Sequence, residues 1–402
     1  MITLFLSAHP NEFEFALIRI PENQIMACGS VTSIGEDFSV LEYVYGNHHP
    51  IKMKKIFYDY HNALKEVFKW LQDEQYGVLT SASQINYIIH RVVYCCNAPH
   101  NPARITPAIL KMIEEGISLA PLHNNSNLLL IKSAMAMVDH PHFAFFDNCF
   151  FNDMPAYNSL YALPTLLNQK LNIRKLGFHG IQHHDNLKKT AELLNKPESK
   201  VNMISCYLGR GITLAAIREG KACDSDSGYS TLSGIPTLHK SGSFDPAIVL
   251  FLLENNHYPL TDLKTMLYSQ SGLQSMIHQP ITYRDLFENA HPADPEKEEL
   301  ANYFVMRVSK EISRMLPNFS RLDALAFSGE IVLAFPELRS RLIRQLSFLK
   351  IKLDPESNRI NQPGSRISTK DSSVNILIFE NHLFLAMARI ISENKTCLAS
   401  LM

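Results

Sequence analysis

Two stretches of this chain, one opening at Met1 and the other at Val201, are laid out alike, and that repetition restricts the fold more than any other feature. Met1 to Leu6, Phe13 to Ile20 and Ile25 to Cys28 read as short β-rich runs, with Pro21-Glu22-Asn23 as a turn. Further on, Val201 to Tyr207 reads as a buried strand, Leu208-Gly209-Arg210-Gly211 as a loop, Ile212 to Arg218 as a strand and Glu219-Gly220 as a tight turn. Two copies of strand, loop, strand, turn, strand predict a duplicated α/β domain, although few residues are identical between them.

Between and after the copies, helical patterns alternate with short strands, an order that favours α/β over segregated α+β. Leu64, Val67, Phe68 and Leu71 recur at helical spacing within Tyr58 to Gln75. Ile85 to Val93 reads as a strand, and Thr106-Pro107 opens a helix expected to reach Leu119. Phe143 to Phe146 is a strand ending at Asp147. The longest helix is expected from about Pro295 to Leu316, with late strands at Asp323 to Phe327 and Val374 to Phe379 and a closing helix from about Asn381.

A chain of 402 residues is too long for one comfortable core and suits two domains. Hydrophobic residues make up 46% and charged residues 19%, the balance of a soluble globular protein. A formal charge of −1, from 38 basic and 39 acidic side chains, gives no reason to expect nucleic acid or a membrane surface as a partner. No apolar run approaches the roughly 18 residues of a membrane span; Ala247 to Leu253 is about as long as they get. The opening MITLFLSAHPNE is apolar but lacks the basic start of a signal peptide. Seven cysteines without CxxC spacing point to free thiols in a reducing, cytoplasmic setting.

Taken singly, the candidate chemical groups are ambiguous. Gly209-Arg210-Gly211 after a strand can cradle phosphate with backbone N–H groups, yet a lone GxG is more often a hairpin. His179 and His183 have the spacing of a zinc pair, but no third ligand is placed to help, so surface or capping histidines are the commoner reading. Arg91 lies in the apolar run YIIHRVVY and needs a partner or a ligand, because an unpaired buried charge is costly. Asp147 stands at a strand end, where α/β folds place functional groups. Cys95-Cys96 reads as core.

Taken together and in order, these pieces resemble the acetate kinase family over almost the whole chain. The resemblance rests on His90-Arg91-Val92-Val93, Ala120-Pro121-Leu122-His123-Asn124, Phe146-Asp147 with Met154-Pro155, Tyr161-Ala162-Leu163-Pro164 and Gly177-Phe178-His179-Gly180. It continues through Cys206-Tyr207-Leu208-Gly209, Ser241-Gly242, Asp245-Pro246-Ala247-Ile248 and Asp323-Ala324-Leu325. It implies a duplicated, ribonuclease-H-like fold of the actin, sugar-kinase and chaperone type, usually a homodimer, with two domains and a central cleft. The domains expected are residues 1–148 with 381–402, and 149–380. The implied activity is phosphoryl transfer between ATP and acetate or propionate, with magnesium, giving an acyl phosphate. The resemblance assigns Arg91 to the substrate carboxylate and the phosphoryl group, and His123 and His179 to phosphoryl oxygens. It assigns Asp147 to the metal and the nucleophile, and Val93, Leu122 and Phe178 to the acyl pocket.

Other positions depart from the family pattern. Where the family has Asn-Ala-Gly-Ser-Ser-Ser, this chain has Ser7-Ala8-His9-Pro10-Asn11-Glu12, and Glu14 replaces a common lysine. Tyr207 and Arg210 stand where the second loop has His and Asn. Lys240 replaces an arginine and loses its bidentate fork. Thr282 replaces an aspartate and Thr231 a pocket proline. The adenosine segment Gly-Ile-Gly-Glu-Asn reads Glu330-Ile331-Val332-Leu333-Ala334, and His382 replaces a glutamate beside Asn381. Ser7 and His382 thus stand in for expected metal ligands. These changes predict impaired or altered activity. The alternatives are a catalytically inactive relative that binds a small carboxylate, an acyl phosphate or a protein partner; a donor without adenosine, such as pyrophosphate; and hydrolysis of acyl phosphates.

Overall fold

The computed structural model describes residues 1–46, 48–95, 98–100, 102–118, 120–255, 258–288 and 294–393, with the backbone alone at 118, 121 and 122. The chain divides into two units, Met1–Asn152 with the segment from His382, and Asp153–Asn381. Leu122 and Cys96 therefore lie outside the residues whose side chains are described.

In the first unit β1 (Ile2–His9), β2 (Glu12–Arg19), β3 (Gln24–Thr32), β4 (Ser39–Tyr45), β5 (Ile51–Lys55), β6 (Tyr87–Val92), β7 (Ala103–Arg104) and β8 (His142–Phe146) form one sheet, in the order β5-β4-β3-β2-β1-β6-β8-β7. Strands β1 to β5 are antiparallel neighbours, whereas β1, β6 and β8 run parallel. In the second unit β9 (Met203–Leu208), β10 (Ile212–Arg218), β11 (Lys221–Ser225), β12 (Ala324–Ser328), β13 (Ser365–Arg366) and β14 (Asn375–Phe379) are ordered β11-β10-β9-β12-β14-β13. The series β3-β2-β1-β6-β8 and β11-β10-β9-β12-β14 are the same arrangement, with the same parallel and antiparallel neighbours. The duplication read from sequence is a duplication of sheet topology.

Local chemistry explains the limits of the elements. Strand β1 runs past Leu6 to His9 and pairs directly with Glu12, so the chain reverses over Pro10 and Asn11. Asn11 takes the reversal at φ 57°, a left-handed conformation that asparagine tolerates. Asp59 caps the helix Tyr60–Leu71 by accepting from Asn62 N–H at 2.7 Å. Thr106 caps Pro107–Glu115, which ends four residues short of Leu119 because Gly116–Ser118 tightens into a 3-10 turn. Asp294 caps the long helix Pro295–Met315.

Each sheet sorts its side chains by alternation. In the second unit Ile204, Cys206, Leu208, Ile212, Leu214 and Ala216 join an apolar core with Phe304, Val308 and Leu342 from the helices Pro295–Met315 and Pro336–Gln345. Ser205, Tyr207 and Thr213 therefore project from the opposite face, under the helix Gly180–Leu194. In the first unit Leu4, Leu6, Phe13 and Phe15 pack with Leu64, Val67 and Leu130, while Phe5 meets Phe384 on the other face.

A buried histidine pair lies beside the site in the first unit. His90 Nε2 and His142 Nδ1 are 3.0 Å apart and the rings stack. Burial, and then the neighbouring His142, hold His90 well below the ordinary 6.5, and burial lowers His142 as well. Histidines kept neutral in the folded state bind fewer protons than in the unfolded state. Stability is therefore complete above about pH 6.5 and falls as pH drops toward the depressed folded values, by at most about 1.4 kcal/mol per pH unit for each such histidine. Urea unfolding at pH 7.5 and 5.5 checks this: the wild type should lose more stability on acidification than His90→Gln, and equal losses would refute it.

Candidate active site

The first unit places its functional groups where parallel strands end. Ser7 on β1 is level with Arg91 on β6, and Val92 is level with Phe146 on β8, one residue before Asp147. Arg91 and Asp147 are thereby brought side by side. Arg91 Nη2 donates to Asp147 Oδ2 at 2.6 Å, and the two residues are only 6% and 0% exposed. Arg91 Nε is buried without a hydrogen-bond partner, so the cation is only partly satisfied. His123 sits in the first turn of the helix Pro121–Met137, and its ring meets the ring of His9 edge-on at 5.9 Å. The ion-pair reading of Arg91 is thus met by Asp147.

Beyond β6 the backbone is held by asparagines that sequence reasoning had not marked as site residues. Val93 N–H donates to Asn127 Oδ1 at 3.1 Å, Tyr94 N–H to Asn124 Oδ1 at 3.2 Å and Cys95 N–H to Asn148 Oδ1 at 3.1 Å. Asn127 Nδ2 also donates to the Ala8 carbonyl at 3.2 Å, tying the β1 hairpin to Val93. Asn124 and Asn127, one turn apart on a helix that opens Pro-Leu-His, are the available signal.

The second unit assembles the other candidates. His179 is the N-cap residue of Gly180–Leu194, at φ 55°. Its Nδ1 lies 3.0 Å from Thr213 Oγ1, which is also 3.0 Å from His183 Nε2. His183 is therefore neither a surface residue nor a cap; it is fully buried. Phe178, the residue before His179, is buried as well. The Gly209-Arg210-Gly211 loop turns tightly, Gly209 N–H donating to the Gly211 carbonyl at 3.0 Å, with Arg210 exposed. A Cβ on Gly211 would lie 2.5 Å from His179 Cε1, and one on Gly209 would lie 2.5 Å from a Glu330 carboxylate oxygen and 2.7 Å from the Tyr207 hydroxyl. The two glycines are what let these side chains close on the loop. Tyr207 and His179 rings are 4.8 Å apart.

Lys240 Nζ donates to the Thr231 carbonyl at 2.5 Å. Burial lowers its pKa, and the charge of Asp226 opposes that. Asp226, missed by sequence reasoning, is buried: Oδ1 accepts from Leu214 N–H at 2.7 Å and Oδ2 has no partner. Burial pushes its carboxyl up to about 6. The signal was Asp224-Ser225-Asp226 at a strand end.

The implied cofactors fit these residues poorly. Among the described residues no group of three or more His, Cys, Asp or Glu side chains can hold a metal. Asp147 already engages Arg91, Ser7 offers only a buried hydroxyl, and His382 is an exposed residue offering an imidazole, whereas magnesium prefers oxygen. Glu330–Ala334 is a short helix whose Ile331 and Val332 face the core, and Glu330 covers Gly209.

The profile of the Acetokinase family matches residues 3–389. The chain is 34% identical to acetate kinase of Thermoanaerobacterium thermosaccharolyticum, over 94% of this chain and 95% of the relative. It is 31% identical to acetate kinase of Methanosarcina mazei, over 97% and 96%. Among solved structures, Porphyromonas gingivalis acetate kinase superposes with a TM-score of 0.89 at 25% identity, covering 99% of both chains. A propionate kinase from Francisella tularensis also gives 0.89, at 28% identity over 96% and 98%. Two sheets of one topology, an Arg–Asp pair at the strand ends and a full-length family match lead to one statement: the chain belongs to the acetokinase family.

Proposed function

We propose that this chain transfers a phosphoryl group to or from a small carboxylate of the acetate or propionate class, with weak use of MgATP. The observation that carries the proposal is the Arg91–Asp147 pair, a buried guanidinium with one nitrogen pinned and another lacking a partner. In this reading Arg91 binds the carboxylate and offsets charge on the transferring group, and His123, His179 and Lys240 stabilise phosphoryl oxygens. A carboxylate oxygen forms the new O–P bond while the bond to the donor's bridging oxygen breaks. Hydroxamate trapping at high enzyme concentration tests it, with acetate, propionate or butyrate and either MgATP or pyrophosphate. Product absent from an Arg91→Lys control supports transfer; equal background with every donor overturns it.

The contact of Glu330 with Gly209 favours a second reading on the donor side: the nucleotide is excluded, and either a donor without adenosine or binding alone remains. Glu330→Gly should then raise affinity for ADP about tenfold or more, equivalent to about 1.4 kcal/mol. Calorimetric titration checks this, and unchanged affinity would count against the obstruction.

A homodimer belongs to the same proposal. The helix Pro246–Glu254 is almost wholly apolar yet buries none of its residues, with Phe251 58% exposed, and Leu166 in the same unit is 81% exposed. Apolar surface of this extent marks an interface. Light scattering should give twice the 45.6 kDa chain mass for the wild type and a monomer for Phe251→Glu; a monomeric wild type refutes it. Cys28, Cys206 and Cys223 are free thiols, which supports the cytoplasmic assignment. No helix among the described residues is long and apolar enough to cross a membrane.

A further inference from the structure

A continuous run of buried polar groups crosses the second sheet beneath His179. Thr213 on β10 and Ser328 on β12 are both level with Tyr207 on β9, and Ser205 lies two residues before Tyr207. All four belong to the face away from the apolar core. The helix Gly180–Leu194 lays His183 and Asn186 over them, four and seven residues after His179. Asn186 Nδ2 lies 2.9 Å from Ser205 Oγ and 2.8 Å from Ser328 Oγ, and its Oδ1 accepts from Asn381 Nδ2 at 3.2 Å. Ser205 Oγ is 2.8 Å from His183 Nδ1. His183 Nε2 and His179 Nδ1 are each 3.0 Å from Thr213 Oγ1. Ser205, His183, Asn186 and Thr213 are all buried, so water cannot rescue a mismatched bond.

The direction of this run follows from the atoms. An amide nitrogen only donates. Ser205, accepting from Asn186, has its single proton available for His183 Nδ1. His183 must then carry its proton on Nε2 and donate to Thr213. Thr213, accepting there, gives its own proton to His179 Nδ1. That leaves the proton of neutral His179 on Nε2, the nitrogen on the ring edge that lies against Gly211. We infer that Asn186, Ser205, His183 and Thr213 act as a relay that fixes His179 in its Nε2–H form, with the donor edge of the ring turned to the glycine loop. These four are positioning residues. Their use in phosphoryl transfer rests on the function proposed above, but the tautomer itself does not.

The relay has a root that can be reversed. Asn186→Asp replaces a donor by an acceptor while keeping the shape. Ser205 and Ser328 would then donate to the new carboxylate, His183 would carry its proton on Nδ1, and Thr213 would donate to His183. His179 would be left donating from Nδ1, with Nε2 bare. The experiment is nitrogen-15 NMR of full-length protein labelled at histidine, at about two pH units above the ordinary histidine value so that neutral rings dominate. The His179 signals are assigned by their loss in His179→Gln. The wild type should show His179 wholly as Nε2–H, and Asn186→Asp should convert most of it to Nδ1–H. A wild-type His179 protonated on Nδ1 overturns the inference even if the variant does not fold. An unchanged tautomer in folded Asn186→Asp overturns it as well. Absence of acyl-phosphate formation alongside the expected tautomers would remove the proposed function and leave the relay standing.

Discussion

Arg91→Ala will abolish acyl-phosphate formation and, in the same protein, cost roughly 3–5 kcal/mol of stability, the usual loss when one partner of a buried ion pair is removed. The reason is Asp147, which is fully buried and accepts from Arg91 at 2.6 Å. Without the guanidinium its buried carboxylate loses the 2.6 Å hydrogen bond that Arg91 supplies. Asp147→Asn should cost less, because the amide still offers an oxygen to Arg91. Arg91→Met combined with Asp147→Leu should cost less than the sum of the two single changes, since both charges of the pair are removed together. Urea denaturation of the five variants, the two single changes included, gives the stability half, and the hydroxamate assay gives the activity half. A stable Arg91→Ala protein would mean that Asp147 has another cation, and full activity would remove Arg91 from the site.

Arg339→Met should be comparably severe, at about 3–5 kcal/mol, because several buried acceptors lose their donor at once. Arg339 is 0% exposed. Its Nε donates to Asn358 Oδ1 at 2.6 Å, Nη2 to the Asn358 carbonyl at 2.8 Å, and Nη1 to the carbonyls of Val332 and Leu333. Burial alone pushes its pKa down to about 10. The charge is therefore satisfied by carbonyl dipoles, and it fastens the end of the Glu330–Ala334 turn to the helix Pro355–Ile360. Arg339→Lys should recover only part of the loss, because one ammonium cannot reproduce the planar fork. Far-UV circular dichroism in urea checks the order wild type, Lys, Met; near-equal midpoints would refute it.

These two arginines also mark what the sequence could and could not disclose. Arg91 was legible because a cation inside YIIHRVVY contradicts its surroundings. Arg339 was not, because LRSRLIRQ is an ordinary amphipathic helix in which Arg339, Arg341 and Arg344 look alike; only the distant Asn358 singles one out. The strand repeat was readable from period-two alternation and turn residues, which are local. Strands β4 and β5 were not, since EYVYG and IKMKK signal weakly, and β1 ran longer than read because Pro10-Asn11 makes a tighter reversal than a loop. In the site, residues carrying family motifs stood out at once. Asn127, Asn148 and Asn186 did not, because each is defined by a partner at least 19 positions away. His183 was misread as a surface or capping residue for the same reason.

Three consecutive amides beyond β6, at Val93, Tyr94 and Cys95, end on the side-chain carbonyls of three different asparagines. A strand bound to a neighbouring strand is constrained as a block, since shifting one residue shifts the whole register. This stretch is constrained one rung at a time. Exchanging a single asparagine can relax or redirect a single peptide unit while the sheet stays fixed. Under the function proposed above, Val93 would line the acyl pocket, and its backbone could then be adjusted in small steps to carboxylates of different length without redesign of the core.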